Sequence, residues 1–129
     1  MRFARIVYAL AGIFGILAIV PGLFAESAGL LPFRIAQPEF YYGFHGTALV
    51  WQFLFLFIAM DPVRWRVLMP FTFLEKIAFF VPILWLWSQG RVQAPSGPFV
   101  AGMIDGLLLL LFIAAWFATR PKAEDSAAG

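Results

Sequence analysis

Four stretches of this chain, Phe3–Phe24, Phe40–Met60, Met69–Ser88 and Pro98–Ala118, are almost wholly apolar, and each has the roughly 20 residues that a helix needs to cross the hydrocarbon of a bilayer. No other feature limits the fold so strongly. In hydrocarbon no water satisfies backbone N–H and C=O groups, so such a stretch must bond to itself as a helix. The expected fold is therefore all-α: a polytopic membrane protein with an antiparallel four-helix transmembrane bundle over residues 1–118 and a disordered cytoplasmic tail over 119–129. Composition points the same way. Hydrophobic residues make up 63% of the chain and charged ones 12%, against about 45–50% and about 25% in soluble domains. The mean hydropathy is +0.89. A soluble chain of 129 residues has too little interior to hide that much apolar surface.

Breaks between the stretches carry turn chemistry. Asp61-Pro62 closes the second stretch and is expected to open a short interfacial turn, with Pro62 at its first position. Ser96-Gly97-Pro98 plays the same part before the fourth, and Gln37-Pro38-Glu39 before the second. Orientation follows from Lys and Arg. Arg2 and Arg5 precede the first stretch, Arg64 and Arg66 join the second to the third, and Arg120 and Lys122 follow the fourth. The other two connections hold only Arg34 and Arg91. The positive-inside rule then places both termini in the cytoplasm, in a multi-pass protein of the cell inner (plasma) membrane. Aromatic residues agree: Trp65 and Trp116 fall at the expected inner interface, and Tyr41, Tyr42, Trp85 and Trp87 at the outer one. Arg64, Trp65, Arg66 and Lys76 form a set of inner-interface anchors, with Lys76 expected to snorkel on its long stem.

The first stretch also has the basic start and apolar core of a signal peptide. A cut after Ala25 would put bulky Leu23 where a small residue is wanted, so retention is the expectation. Small residues suggest where helices approach closely: Ala4, Ala11, Gly15 and Ala18 share a face of the first helix, and Gly102 and Gly106 one of the fourth. Contacts within the chain are favoured over a dimer face. Pro82 should kink the third helix and free the carbonyl of Ala78.

Ionisable residues inside such spans cost about 2.5–3.5 kcal/mol each near the centre on insertion scales, so each demands a reason. His45, Glu75, Lys76 and Asp105 are the ionisable ones, joined by polar Gln52. At about 1.5 Å per residue, His45 and Asp105 lie roughly 8–11 Å deep from the outer side. Gln52 follows His45 by nearly two turns, and Glu75 should reach its level from the inner side. The expected site is a polar column, His45 with Asp105 above and Gln52 with Glu75 below. Glu75 and Lys76 leave their helix about 100° apart and need not pair. In the third stretch about ten apolar residues, at some 0.3–0.6 kcal/mol each, barely offset Glu75 and Lys76. That helix must lean on its neighbours, and Glu75 is the first candidate for function. The bland alternatives are that Glu75 and Asp105 only tie helices together, and that His45 sits among headgroups.

The run DPVRWRVLMPFTFLEK (Asp61–Lys76), with EFYYGFHGTALVWQ before it and GMIDGLLLLLF after it, resembles a group of small, uncharacterised four-span bacterial inner-membrane proteins over about residues 39–118. The resemblance implies topology, lends no activity, and would mark Arg64, Arg66, Glu75, Lys76 and Asp105 as recurring polar positions. A looser similarity links the chain to the sterol-isomerase-like membrane family, which also sets His and acidic residues in a helical cavity; no motif corresponds residue by residue.

Function classes narrow accordingly. With no cysteine and one histidine, thiolate chemistry, disulfides, iron–sulfur clusters and a transition-metal cage are not expected, and no cofactor is. A net charge of +2 speaks against nucleic acid. The leading expectation is a non-enzymatic accessory or apolar-ligand-binding protein, the ligand being a lipid or quinone. Alternatives are an intramembrane acid–base enzyme of isomerase type acting on a lipid, with Glu75 moving a proton and His45–Asp105 complementing it, and a small proton-coupled exporter. Expected partners are membrane lipids, with an apolar small molecule, a second copy of the chain, or another membrane chain as further candidates.

Overall fold

The computed structural model describes residues 2–122. Helix α1 spans Arg2–Phe24, α2 Pro38–Met60, α3 Met69–Ser88 and α4 Gly97–Ala118, with a single 3-10 turn at Arg66–Leu68 before α3. Among the described residues there is no strand. All four long helices have the length and apolar character to cross a membrane. Each stretch expected from the sequence lies inside one of them. The turn chemistry explains the boundaries. After α2, Asp61 Oδ1 accepts a hydrogen bond from the Arg64 amide at 3.3 Å, which turns the chain toward α3. Before α4, Ser96 Oγ accepts from the Phe99 amide at 3.4 Å, and Pro98 occupies the first turn, where no N–H is missed. Of the tail expected to be disordered, residues 123–129 lie outside the described residues, and Thr119 departs from the expectation. Its hydroxyl donates to the Ala115 carbonyl at 2.9 Å, and the residue is buried.

The helices bury narrow stripes and expose broad apolar faces, with Leu10, Leu17, Val50, Leu74 and Leu110 all pointing outward. The core gathers where α1 begins, α2 ends, α3 begins and α4 ends. There Tyr8 stacks on Phe112, with centroids 4.3 Å apart and planes 6° from parallel. Phe55 meets the edge of that pair, 5.0 Å from Phe112 and 6.1 Å from Tyr8. The Thr72 hydroxyl donates to its own helix at the Met69 carbonyl, 2.6 Å away. Its oxygen is then free to accept the Tyr8 hydroxyl proton at 2.8 Å, so no buried hydroxyl in this group is left unsatisfied.

Small residues set the helix spacing, and they act within the chain. Gly15 faces the Gln52 side chain so closely that an added Cβ would fall 2.8 Å from Gln52 Cγ. On α4, a Cβ at Gly102 would lie 2.6 Å from Ile83 Cγ2, and one at Gly106 2.5 Å from Phe80. Thus α1 seats on α2 and α4 on α3 through glycine faces, while α2 and α3 meet far less. Helix α3 is continuous through Pro82, whose missing N–H leaves the Ala78 carbonyl without its i+4 donor.

Candidate functional site between the four helices

Directly above the aromatic core, three titratable side chains converge. Lys76 projects from α3 into the space between the helices, over the ring of Phe55 at 5.1 Å, a distance at which the π-face attracts a cation. Its Nζ donates to Asp105 Oδ1 on α4 at 3.1 Å and stands 3.4 Å from Glu75 Oε2. The lysine side chain is 5% exposed, Glu75 15% and Asp105 19%. One ammonium therefore bridges two carboxylates in a largely dry place. The two contacts are unequal: Glu75 Oε2 is within ion-pair distance, yet it is buried and receives no hydrogen bond. With every group ionised the cluster has one more negative charge than positive.

These positions correct several expectations. Lys76 does not reach the helix end as the expected interfacial anchor; it is the centre of the cluster. The local geometry explains why, since Asp105 offers it an acceptor across the α3–α4 contact that Gly102 and Gly106 hold tight, whereas snorkelling would leave that carboxylate unpaired. Lys76 and Glu75 do meet, because the flexible lysine stem spans the angle between adjacent helical positions. His45 does not pair with Asp105. Its Nδ1 lies 2.7 Å from the Tyr41 carbonyl; a carbonyl only accepts, so Nδ1 carries the proton. The ring tilts against that of Tyr41 at 4.1 Å and turns Nε2 toward α1, where a Cβ at Gly22 would come within 2.8 Å. His45 belongs to the α1–α2 contact, where Gly22 makes room for its ring.

Gln52 does stand beside the cluster. Its Nε2 donates to the Ala48 carbonyl one turn back at 2.8 Å, and its side chain packs on Gly15. It borders, with Glu75, Lys76 and Asp105, a cavity of about 180 Å³ to which all four helices contribute, Phe14 and Gly15 among them. A second and larger recess, about 530 Å³, runs along the poorly packed seam between α2 and α3, walled by Phe44, Trp51, Phe71 and Phe79. Glu75 borders both. Arg64 and Arg66 stay at the end of the helices: Arg64 lies 4.7 Å over Trp65, and Arg66 lies 3.9 Å over Trp116 and donates to its carbonyl at 3.1 Å.

One polar centre escapes sequence reasoning. Glu26, just past α1, accepts the Ile35 amide at 2.7 Å and the Tyr42 hydroxyl at 3.3 Å, pinning the α1–α2 connection to the helix ends. No motif signals it; a carboxylate at a helix exit looks like any solvated loop residue. Glu26→Ala should speed hydrogen exchange at the Ile35 amide by about tenfold or more, as loss of one charge-assisted hydrogen bond implies. Unchanged exchange would show the connection to be held by other contacts.

Among the described residues no group of three or more His, Asp or Glu side chains is placed to hold a metal ion. No family model, curated protein or solved structure matches the chain.

Proposed function

We propose that this is an integral membrane protein, an antiparallel four-helix transmembrane bundle of the inner membrane with both termini cytoplasmic, that binds an amphiphilic ligand without transforming it. The single observation that carries the binding reading is Glu75. It stands at the junction of a charged cavity and an apolar recess, and its buried oxygen lacks a hydrogen bond. The central cavity, at about 180 Å³, is smaller than the about 300–1,000 Å³ of ligand pockets, whereas the α2–α3 recess, at about 530 Å³, lies within that range. A polar head at the cluster and a hydrocarbon tail in the recess fits both volumes.

Support for the membrane arrangement comes from the outward apolar faces and from which ends meet. Arg5 reaches the Met60 carbonyl at 3.4 Å, and Tyr41 donates to the Gly22 carbonyl at 2.8 Å. Those contacts favour opposite directions for α1 and α2, and Thr119 beside Met69 favours the same for α3 and α4. Four arginines, Arg5, Arg64, Arg66 and Arg120, then share one end with Trp65 and Trp116, as a cytoplasmic face would have it. The same reading takes the chain for one of the small bacterial four-span proteins that it resembles. An acid–base enzyme built on a His45–Asp105 pair draws no support from this geometry.

Two experiments test the proposal. Because the chain has no cysteine, single replacements report topology cleanly: Val67→Cys should be hidden from an impermeant thiol reagent in intact cells, and Leu30→Cys should be labelled. The reverse pattern would overturn the orientation. Purification in mild detergent followed by mass spectrometry should recover a lipid-like small molecule at near-stoichiometric amount. A protein free of any such molecule would count against ligand binding.

A further inference from the structure

The binding reading leaves the ligand's chemistry open, and the cluster restricts it. Acceptors outweigh donors at the junction, where two carboxylates share one ammonium. Glu75 Oε2 is buried and receives no hydrogen bond, its one charged neighbour being Lys76 at 3.4 Å, and Glu75 and Ala78 both border the recess. Lys76, the strong donor nearby, is shared between Asp105 at 3.1 Å and Glu75 at 3.4 Å. A head group that only accepts, such as a quinone or ester carbonyl, would compete with both carboxylates for Lys76. Charge adds a second condition, since the fully ionised cluster of Lys76, Glu75 and Asp105 has one unbalanced negative charge. The walls add a third. Phe44, Trp51, Phe71 and Phe79 line the recess with aromatic rings, whose faces attract cations and whose bodies receive hydrocarbon.

We propose that the site takes a lipophilic amine: a protonated amino head donating to Glu75 and a hydrocarbon chain lying in the α2–α3 recess, entered sideways from the bilayer. This rests on the binding reading above and specifies its ligand. Glu75 neutralises the head, Asp105 keeps Lys76 from repelling it, and the small side chain of Ala78 keeps the recess open.

The test uses the full chain in nanodiscs of digalactosyldiacylglycerol, a lipid with no amine, with empty nanodiscs as the reference. Saturable binding of radiolabelled dodecylamine, dodecanol and decylubiquinone is measured on the native protein and on Glu75→Gln and Ala78→Trp. Dodecylamine should bind most tightly. Glu75→Gln should weaken it by roughly 10- to 100-fold, the loss expected for a charge-assisted hydrogen bond, and weaken dodecanol, whose neutral hydroxyl can still donate to the amide oxygen, by less; Ala78→Trp should weaken every probe. If dodecylamine is not preferred, or binds Glu75→Gln as well as the native chain, the amine assignment is wrong. Dodecanol or decylubiquinone binding that Ala78→Trp abolishes would then still uphold the recess as a ligand site. If none of the three saturates on the native chain, the amine assignment falls together with the binding reading. Should Glu75→Gln fail to accumulate, the ranking of probes and the Ala78→Trp result decide alone.

Discussion

Replacing Lys76 with methionine will cost more stability than any other single change in the charged cluster, about 3–5 kcal/mol, because it strands buried carboxylates without their counter-ion. The methionine fills the same volume, so packing against Phe55 survives and the loss is electrostatic. Partners rank the lesser substitutions. Asp105→Asn removes the carboxylate at 3.1 Å but leaves Lys76 the one at 3.4 Å, and should cost less. Glu75→Gln removes the oxygen that receives no hydrogen bond and balances the cluster's charge, so it should be close to neutral for folding. The triple variant Lys76→Met, Glu75→Gln, Asp105→Leu should recover most of the stability, as buried ionic groups often do when exchanged for apolar ones. Thermal unfolding in detergent, with membrane accumulation as a second readout, checks the order. A Lys76→Met protein that melts with the native one would show that the ammonium is not what holds α3 to α4.

That ranking also separates structure from function inside one cluster. The Lys76–Asp105 pair is the tie between helices, and the cost of two charges in α3 is met mainly by α4. Glu75 contributes least to that tie and most to the surface of the recess. A residue whose removal leaves folding intact while binding drops is a ligand contact; one whose removal unfolds the chain is a tie. In the sequence Glu75 and Asp105 suit both roles alike, and the geometry divides them.

The fold was legible because its cause is local. Each apolar stretch dictates its own helix, and Asp61-Pro62 and Ser96-Gly97-Pro98 mark ends through bonds made within three residues. The site was legible only as membership. Gln52, Glu75 and Asp105 announce themselves as polar groups in apolar runs, and all three border one cavity. Their pairing was not legible, because it depends on rotation and depth between helices, which periodicity does not fix. Lys76 shows the difficulty: a flexible lysine near a helix end has an inexpensive interfacial option, and only the position of Asp105 across the glycine face makes the interior option better. His45 shows the converse. Its neighbour four residues back, Tyr41, satisfies it locally, a bond available in any helix and so invisible as a tertiary signal. Tyr8 and Thr72 drew no notice in the sequence because neither a phenol near a helix start nor a threonine in an apolar run stands out.

Tyr8 nevertheless carries the second large effect. It is wholly buried, stacked on Phe112 and bonded to Thr72. If lipid surrounds the bundle, as proposed above, removing the ring forfeits little transfer energy, because the chain unfolded within the bilayer meets hydrocarbon too. What remains is the void, and at about 24 cal/mol per Å³ a ring-sized space of roughly 100 Å³ costs on the order of 2 kcal/mol. The orphaned Thr72 oxygen adds little, since its own proton still reaches Met69. Tyr8→Ala should therefore destabilise by about 2 kcal/mol, and Tyr8→Phe, which keeps the stack and loses one hydrogen bond, by about 1 kcal/mol or less. In water the same ring would be worth about 3–5 kcal/mol. Unfolding of both variants in mixed micelles thus measures the protein and its surroundings at once. A Tyr8→Ala loss near the upper figure would mean that Tyr8 is withdrawn from water on folding, and would count against hydrocarbon as the medium around this core.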